Sequence, residues 1–176
     1  MKDSPPSPVG TTDNGVDARF EDAPFSDRPL RLRAEGAEDL SILSSLLQDG
    51  VGRVTDIAWL RRKRRLVLVL NRFRWEDAEA AKRDGRPFER VRAALVVDDV
   101  RTVRTRGIAP GDKAAVIWLL SLAFEEGEDG AGRLMIQGAG ETAFAVDVEC
   151  LSVSLADLTR PWQAQAGQPA HDDAKA

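Results

Sequence analysis

Five cations in succession, Arg61, Arg62, Lys63, Arg64 and Arg65, give the strongest chemical signal in this chain. Trp59 and Trp75 bracket them in the segment WLRRKRRLVLVLNRFRW, and Arg72, Arg74, Arg90 and Arg92 follow at positions that strands can bring alongside. Arginine's planar fork suits carboxylate or phosphate recognition, and the two indoles could stack on bases or sugars. The chemistry on offer is therefore the binding of an anion. Plainer readings stand beside it. Both tryptophans can serve as core residues, and a charged hairpin protects a sheet from pairing with another chain.

Groups that could carry catalysis are sparse. The single histidine, His171, lies near the C-terminal end, which weakens any Ser-His-Asp or Cys-His nucleophile and most zinc sites. The single cysteine, Cys150, excludes an intrachain disulfide and a site built on several thiolates. It ends an alternating apolar segment, which predicts a buried structural thiol. Asp147 and Glu149 project from the same strand face, so they could seat a divalent cation or act as an acid and a base. No further ligand stands at a useful spacing, and a solvated strand face is the plainer reading. Gly138 and Gly140 fit a hairpin turn better than a phosphate cradle. No metal or cofactor is implied.

The charge is unevenly placed along the chain. The net charge is −4 over 176 residues, yet residues 51–106 hold 16 Lys/Arg against 8 Asp/Glu, a net of +8, and the remainder carries −12. A basic middle flanked by acidic segments either neutralises itself in the fold or presents a basic surface to an acidic partner. The N-terminal stretch has no apolar region of the kind found in a secretory signal. The longest apolar run, residues 114–124, is half of the roughly 20 residues needed to span a bilayer. A soluble protein in a reducing cytoplasm is the expectation.

The elements that must position the cations follow from periodicity. Residues 30–34 alternate as a short strand, and residues 37–48 carry Leu40, Leu43 and Leu47 on one helical stripe, with Glu38 and Asp39 in the first turn. Strands are predicted over 53–60 and 65–73, which makes the basic run the tip of a β-hairpin. In the second of these, Leu66, Leu68 and Leu70 share a face that Arg72 and Arg74 carry on into solvent. Residues 76–87 read as a loop with one helical turn. Strands follow over 89–97, with Val91, Ala93, Leu95 and Val97 inward, and over 100–106, with Asp98-Asp99 as the turn between them. Residues 114–125 fit either a helix or a strand, and a helical turn at 112–115 followed by a strand is the preferred reading. As a strand, Val116, Trp118, Leu120, Leu122 and Phe124 form one apolar face. Strands over 133–137 and 142–150 complete the set. Leu151, Leu155 and Leu158 recur at helical spacing and predict a final helix ended by Pro161, although Leu151, Val153 and Leu155 also fit a strand.

This order predicts one α+β domain over 29–162. It comprises a strongly bent, mostly antiparallel sheet or half-open barrel of about seven strands, with one helix before and one after it, a layout analogous to the pleckstrin-homology superfold. Residues 1–28, with Phe20 and Phe25 as docking exceptions, and residues 163–176 are expected to be disordered.

The segments AWLRRKRRLVLVLNRFRWE, LRLRAEGAEDLSILSSLLQD and VDVECLSVSLADLTRPW together resemble an alphaproteobacterial family known only as domain of unknown function 2948. The resemblance spans roughly residues 17–163, and Asn71 to Trp75, Asp147 to Cys150 and Pro161-Trp162 make it specific. It implies a soluble bacterial protein of one domain and brings no activity or site residue with it.

The functional expectation is a non-catalytic binding or adaptor module that meets an acidic protein through Arg61, Arg62, Lys63, Arg64, Arg65, Arg72, Arg74, Arg90 and Arg92. Nucleic-acid binding, an enzyme working through carboxylates and arginines, and attraction to anionic lipids are the alternatives that remain open.

Overall fold

The computed structural model describes residues 28–109 and 111–164. The expectations for residues 1–27 and 165–176, including Phe20, Phe25 and His171, lie outside the described residues.

Alternation of apolar and polar side chains dominates the chain, and strands dominate the fold. They run in the order β1 (Arg31–Ala34), β2 (Gly50–Arg53), β3 (Ile57–Leu60), β4 (Arg65–Phe73), β5 (Glu89–Val97), β6 (Val100–Arg106), β7 (Val116–Glu126), β8 (Gly132–Gly138), β9 (Ala143–Val148), β10 (Val153–Asp157) and β11 (Trp162–Gln163). All pair antiparallel in a single sheet with the path β1-β10-β5-β4-β2-β7-β8-β9-β6, while β3 flanks β4 and β11 flanks β5. Two short helices accompany them, α1 (Ala37–Leu47) and α2 (Ala78–Arg83). The sheet is not closed, since β1 and β6 stand at opposite ends of the path. The expected layout of about seven strands with a helix on either side, and with it the pleckstrin-homology analogy, is therefore incorrect.

The decisive departure is the segment expected to form a final helix. Residues 153–157 alternate in burial, with Val153, Leu155 and Asp157 inward, while Leu158 is 54% exposed. The helical spacing of the leucines is coincidental, and the period-two pattern of a half-buried strand prevails. As β10 this segment lies between β1 and β5, pairing Leu155 with Leu32 on one side and with Leu95 on the other.

A second departure lies in β7. A bulge between Leu119 and Ser121 reverses the side-chain alternation. Ile117, Leu119 and Leu122 are buried, whereas Val116, Trp118 and Leu120 face outward. The single apolar face expected for this strand is thus split between the two sides of the sheet, and residues 112–115 form turns rather than a helix.

α1 follows the expected stripe, burying Leu40, Leu43 and Leu47 against the sheet. They join Leu66, Leu68 and Leu70 of β4, Leu95 and Val97 of β5, Ile117 and Leu119 of β7, and Phe144 and Val146 of β9 in one core. The turn Asp98-Asp99 carries the chain from β5, third along the path, to β6 at its far end, so both parts of the sheet wrap this core. The same turn brings β6 beside the basic hairpin, where the Val100 N–H donates to the Arg64 carbonyl at 2.9 Å.

Candidate functional site

β3 and β4 form the expected hairpin, with Trp59 opposite Leu66 and Leu60 opposite Arg65. Arg61–Lys63 make a 3-10 turn, and Arg64 closes it in the left-handed region at φ 51°. Four cations packed into so short a connection repel one another and splay toward solvent. Arg61, Arg62 and Lys63 are exposed, and none has a carboxylate partner among the described residues. The Arg61 guanidinium lies 4.3 Å from the centre of the Trp59 ring, a cation–π contact that occupies one face of the indole.

The other two cations of the run are anchored. Arg64 meets Glu149 at 2.6 Å, and Arg65 meets Asp98 at 2.6 Å. Together they fix the hairpin to the Asp98-Asp99 turn and to the end of β9. A shallow hollow of about 510 Å³ beside them is lined by Trp59, Arg61, Arg64, Val100, Arg101 and Glu149.

Arg72 and Arg74 are the largest correction to the expected site. Arg72 shares the inward face of Leu66, Leu68 and Leu70 and is fully buried. It donates through Nε and Nη2 to both Asp157 oxygens at 3.0 Å, through Nη1 and Nη2 to Glu76 at 2.9 and 2.8 Å, and through Nη1 to the Phe73 carbonyl at 3.0 Å. All five guanidinium N–H donors are therefore used. Arg74 is buried and paired with Glu89. Arg90 lies 3.9 Å over the Phe73 ring and donates to the Asn71 carbonyl, and Arg92 pairs with Asp56 at 3.3 Å. The structure thus brings Arg61 to Arg65 together at the tip but separates Arg72, Arg74, Arg90 and Arg92 from it. Trp75 is structural as well, donating to the Gln48 carbonyl at 2.9 Å and packing on Phe73.

Burial raises the Glu76 pKa, but the hydrogen bonds and charge of Arg72 outweigh it and hold the carboxyl below its ordinary value. A depressed folded-state pKa contributes stability that is present above the unfolded value, about 4.3, and is lost as pH falls through the folded one. Urea unfolding followed downward from pH 5 should therefore show a loss of stability that Glu76→Gln reduces. A slope unchanged in that variant would count against the assignment.

A family model described as a protein of unknown function (DUF2948) matches residues 30–171. The chain belongs to that family. No curated protein and no solved structure gives a significant match.

The DUF2948 chain also assembles residues that periodicity did not single out. On β6, Arg104 and Thr102 both reach one oxygen of Asp147 at 2.7 Å, while Arg133 of β8 reaches the other at 2.7 Å. Arg101 meets Glu149 at 3.6 Å. The Arg and Thr alternation of VRTVRTR is visible in the sequence, but its pairing with β9 is long-range and leaves no local signal. Asp147 and Glu149, expected on one strand face, each meet an arginine of β6, with Asp147 in β9 and Glu149 in the bend just after it. The Arg133 hydrogen bond holds Asp147, and the Arg64 hydrogen bond holds Glu149, below the ordinary carboxylate range. An acid–base pair needs its two pKa values pushed apart, and here both are pushed the same way. Cys150 is exposed rather than buried, with its thiol 3.3 Å from Asp99. That hydrogen bond, followed by burial, raises the thiol pKa, the opposite of an activated nucleophile. Among the described residues no three His, Cys, Asp or Glu side chains cluster as a cation site, and no helix is long and apolar enough to cross a membrane.

Proposed function

We propose that this protein is a binding module that meets an acidic partner through the tip of the β3–β4 hairpin. The observation that carries the reading is the contrast within the tip. Arg64 and Arg65 are anchored to Glu149 and Asp98, whereas Arg61, Arg62 and Lys63 extend from the rigid turn they support with no carboxylate of their own among the described residues. Anchored cations hold the shape of the turn, and the exposed ones are available to a partner. A pre-shaped cationic tip lowers the ordering cost of binding. Nucleic acid suits the site less well, because the Arg61 guanidinium already occupies one face of the Trp59 ring on which a base would stack.

Arg61→Ser, Arg62→Ser and Lys63→Ser combined leave the anchoring pairs intact. With a labelled glutamate-rich peptide as probe, this variant should lose about tenfold or more in affinity. The wild-type affinity should itself fall as salt rises. Equal binding by the variant and the wild type, in fluorescence anisotropy at low salt, would remove the proposal. The anchors predict a different outcome for Arg65→Ser, which should mainly loosen the turn.

A further inference from the structure

β6 borders the tip and ends the strand path, paired with β9 on one side and with no strand on the other among the described residues. Beyond Val100, whose N–H is taken by the Arg64 carbonyl, residues 101–106 of this edge have no strand beside them among the described residues, and such an edge is a template for an added strand. Its outer face is basic. Arg101 and Arg104 keep side-chain exposures of 54% and 62%, and Arg106 is also exposed. The irregularity between Val100 and Thr102 turns Arg101 to the side where Arg104 lies, so Glu149 and Asp147 each meet one of them. The edge starts where the tip ends, at the hydrogen bond from the Val100 N–H to the Arg64 carbonyl, and the hollow at Trp59 and Arg101 joins the two.

We infer that β6 is a docking edge for an extended acidic segment of a partner protein, which adds as a strand and lays acidic side chains at alternate positions beside Arg101, Arg104 and Arg106. The inference rests on the proposed reading of the tip and extends it along the sheet. A strand that pairs along residues 101–106 covers about 20 Å at the usual rise of about 3.3 Å per residue. Charge complementarity selects the occupant. A second copy pairing edge to edge would set two arginine rows against each other, which is destabilising. A nucleic acid supplies phosphates but no amide ladder for the open backbone edge.

The test uses the full chain and a labelled eight-residue peptide of alternating Glu and Thr. Two isomers of the peptide carry backbone N-methyl groups on one or the other alternate set of residues, with charge unchanged. Only one set can face β6, so one isomer should lose about tenfold or more in affinity while the other binds like the parent, because several ladder hydrogen bonds are blocked together. Amide exchange over residues 100–106 should slow in the parent complex. If both isomers bind like the parent and exchange in β6 is unchanged, the edge inference falls while the charged tip stands. If the parent binds no better than a Gln-Thr peptide, both fall. A dimer that protects β6 by itself, or single-stranded DNA that outcompetes the peptide, also overturns the inference.

Discussion

Asp157→Ala should destabilise the protein by about 3–5 kcal/mol, the cost typical of removing one partner from a buried ion pair. Arg72 is fully buried, and Asp157 takes two of its five N–H donors. Asp157 Oδ2 also accepts the Leu30 N–H at 3.0 Å, so the substitution strips the start of β1 along with the core. Glu76 is partly exposed and cannot shield the guanidinium alone. Total stabilities of domains this size are about 5–15 kcal/mol, so urea unfolding should register a large shift of the midpoint. The triple variant Arg72→Met, Glu76→Gln and Asp157→Leu removes the three charges of the network together and should recover part of the loss, because apolar side chains of similar volume replace buried ion pairs at little cost. A shift below about 1 kcal/mol for Asp157→Ala would mean that the network contributes little.

Gly107→Ala should cost about 3 kcal/mol, near the upper end of ordinary single substitutions. Gly107 leaves β6 at φ +73°, and a Cβ there would lie 2.6 Å from the Glu141 carbonyl carbon and 2.7 Å from the Thr142 nitrogen. Those atoms are backbone and cannot swing aside, so the turn between β8 and β9 has to move. Gly85 supplies the control. Its φ of +63° is similar, yet nothing lies within 4 Å of its would-be Cβ, so Gly85→Ala should show only the conformational penalty of about 1 kcal/mol. Comparable losses for the two variants in thermal or urea unfolding would mean that the close approach at Gly107 is not what the glycine serves.

The strands whose periodicity is local were legible in the sequence. α1 has its leucine stripe, the β3–β4 hairpin has its charged tip, and Val91, Ala93, Leu95 and Val97 of β5 turn inward as their alternation requires. What failed depended on tertiary partners. Alternation places Arg72 on the face of Leu70, but its charge argued for solvent, and Asp157 stands 85 residues away. Glu76, four residues on, was the one partner within local reach. In β7 the bulge reversed the alternation, and no residue in that run marks where it falls. Leu151, Leu155 and Leu158 fit a helical period while Leu151, Val153 and Leu155 fit a strand, and only the place of β10 between β1 and β5 decides between them. The candidate site divides along the same line. The tip could be read from composition, whereas the anchoring of Arg64 and Arg65 and the setting of β6 beside β9 required the pairing of distant segments.

The position of β10 also sets the order in which this protein can be made. Its ladder with β1 joins Arg31 to Ala156, and its other side covers β5 from Ala93 to Val97. Until β10 has been made, β5 lacks its neighbour on that side and β1 has no strand to join. Such non-local closure slows folding, and an open strand edge invites pairing with other chains. Completion therefore waits for Asp157, the same residue that neutralises Arg72, to leave the exit tunnel. Closing the flank and satisfying the buried charge become one late event.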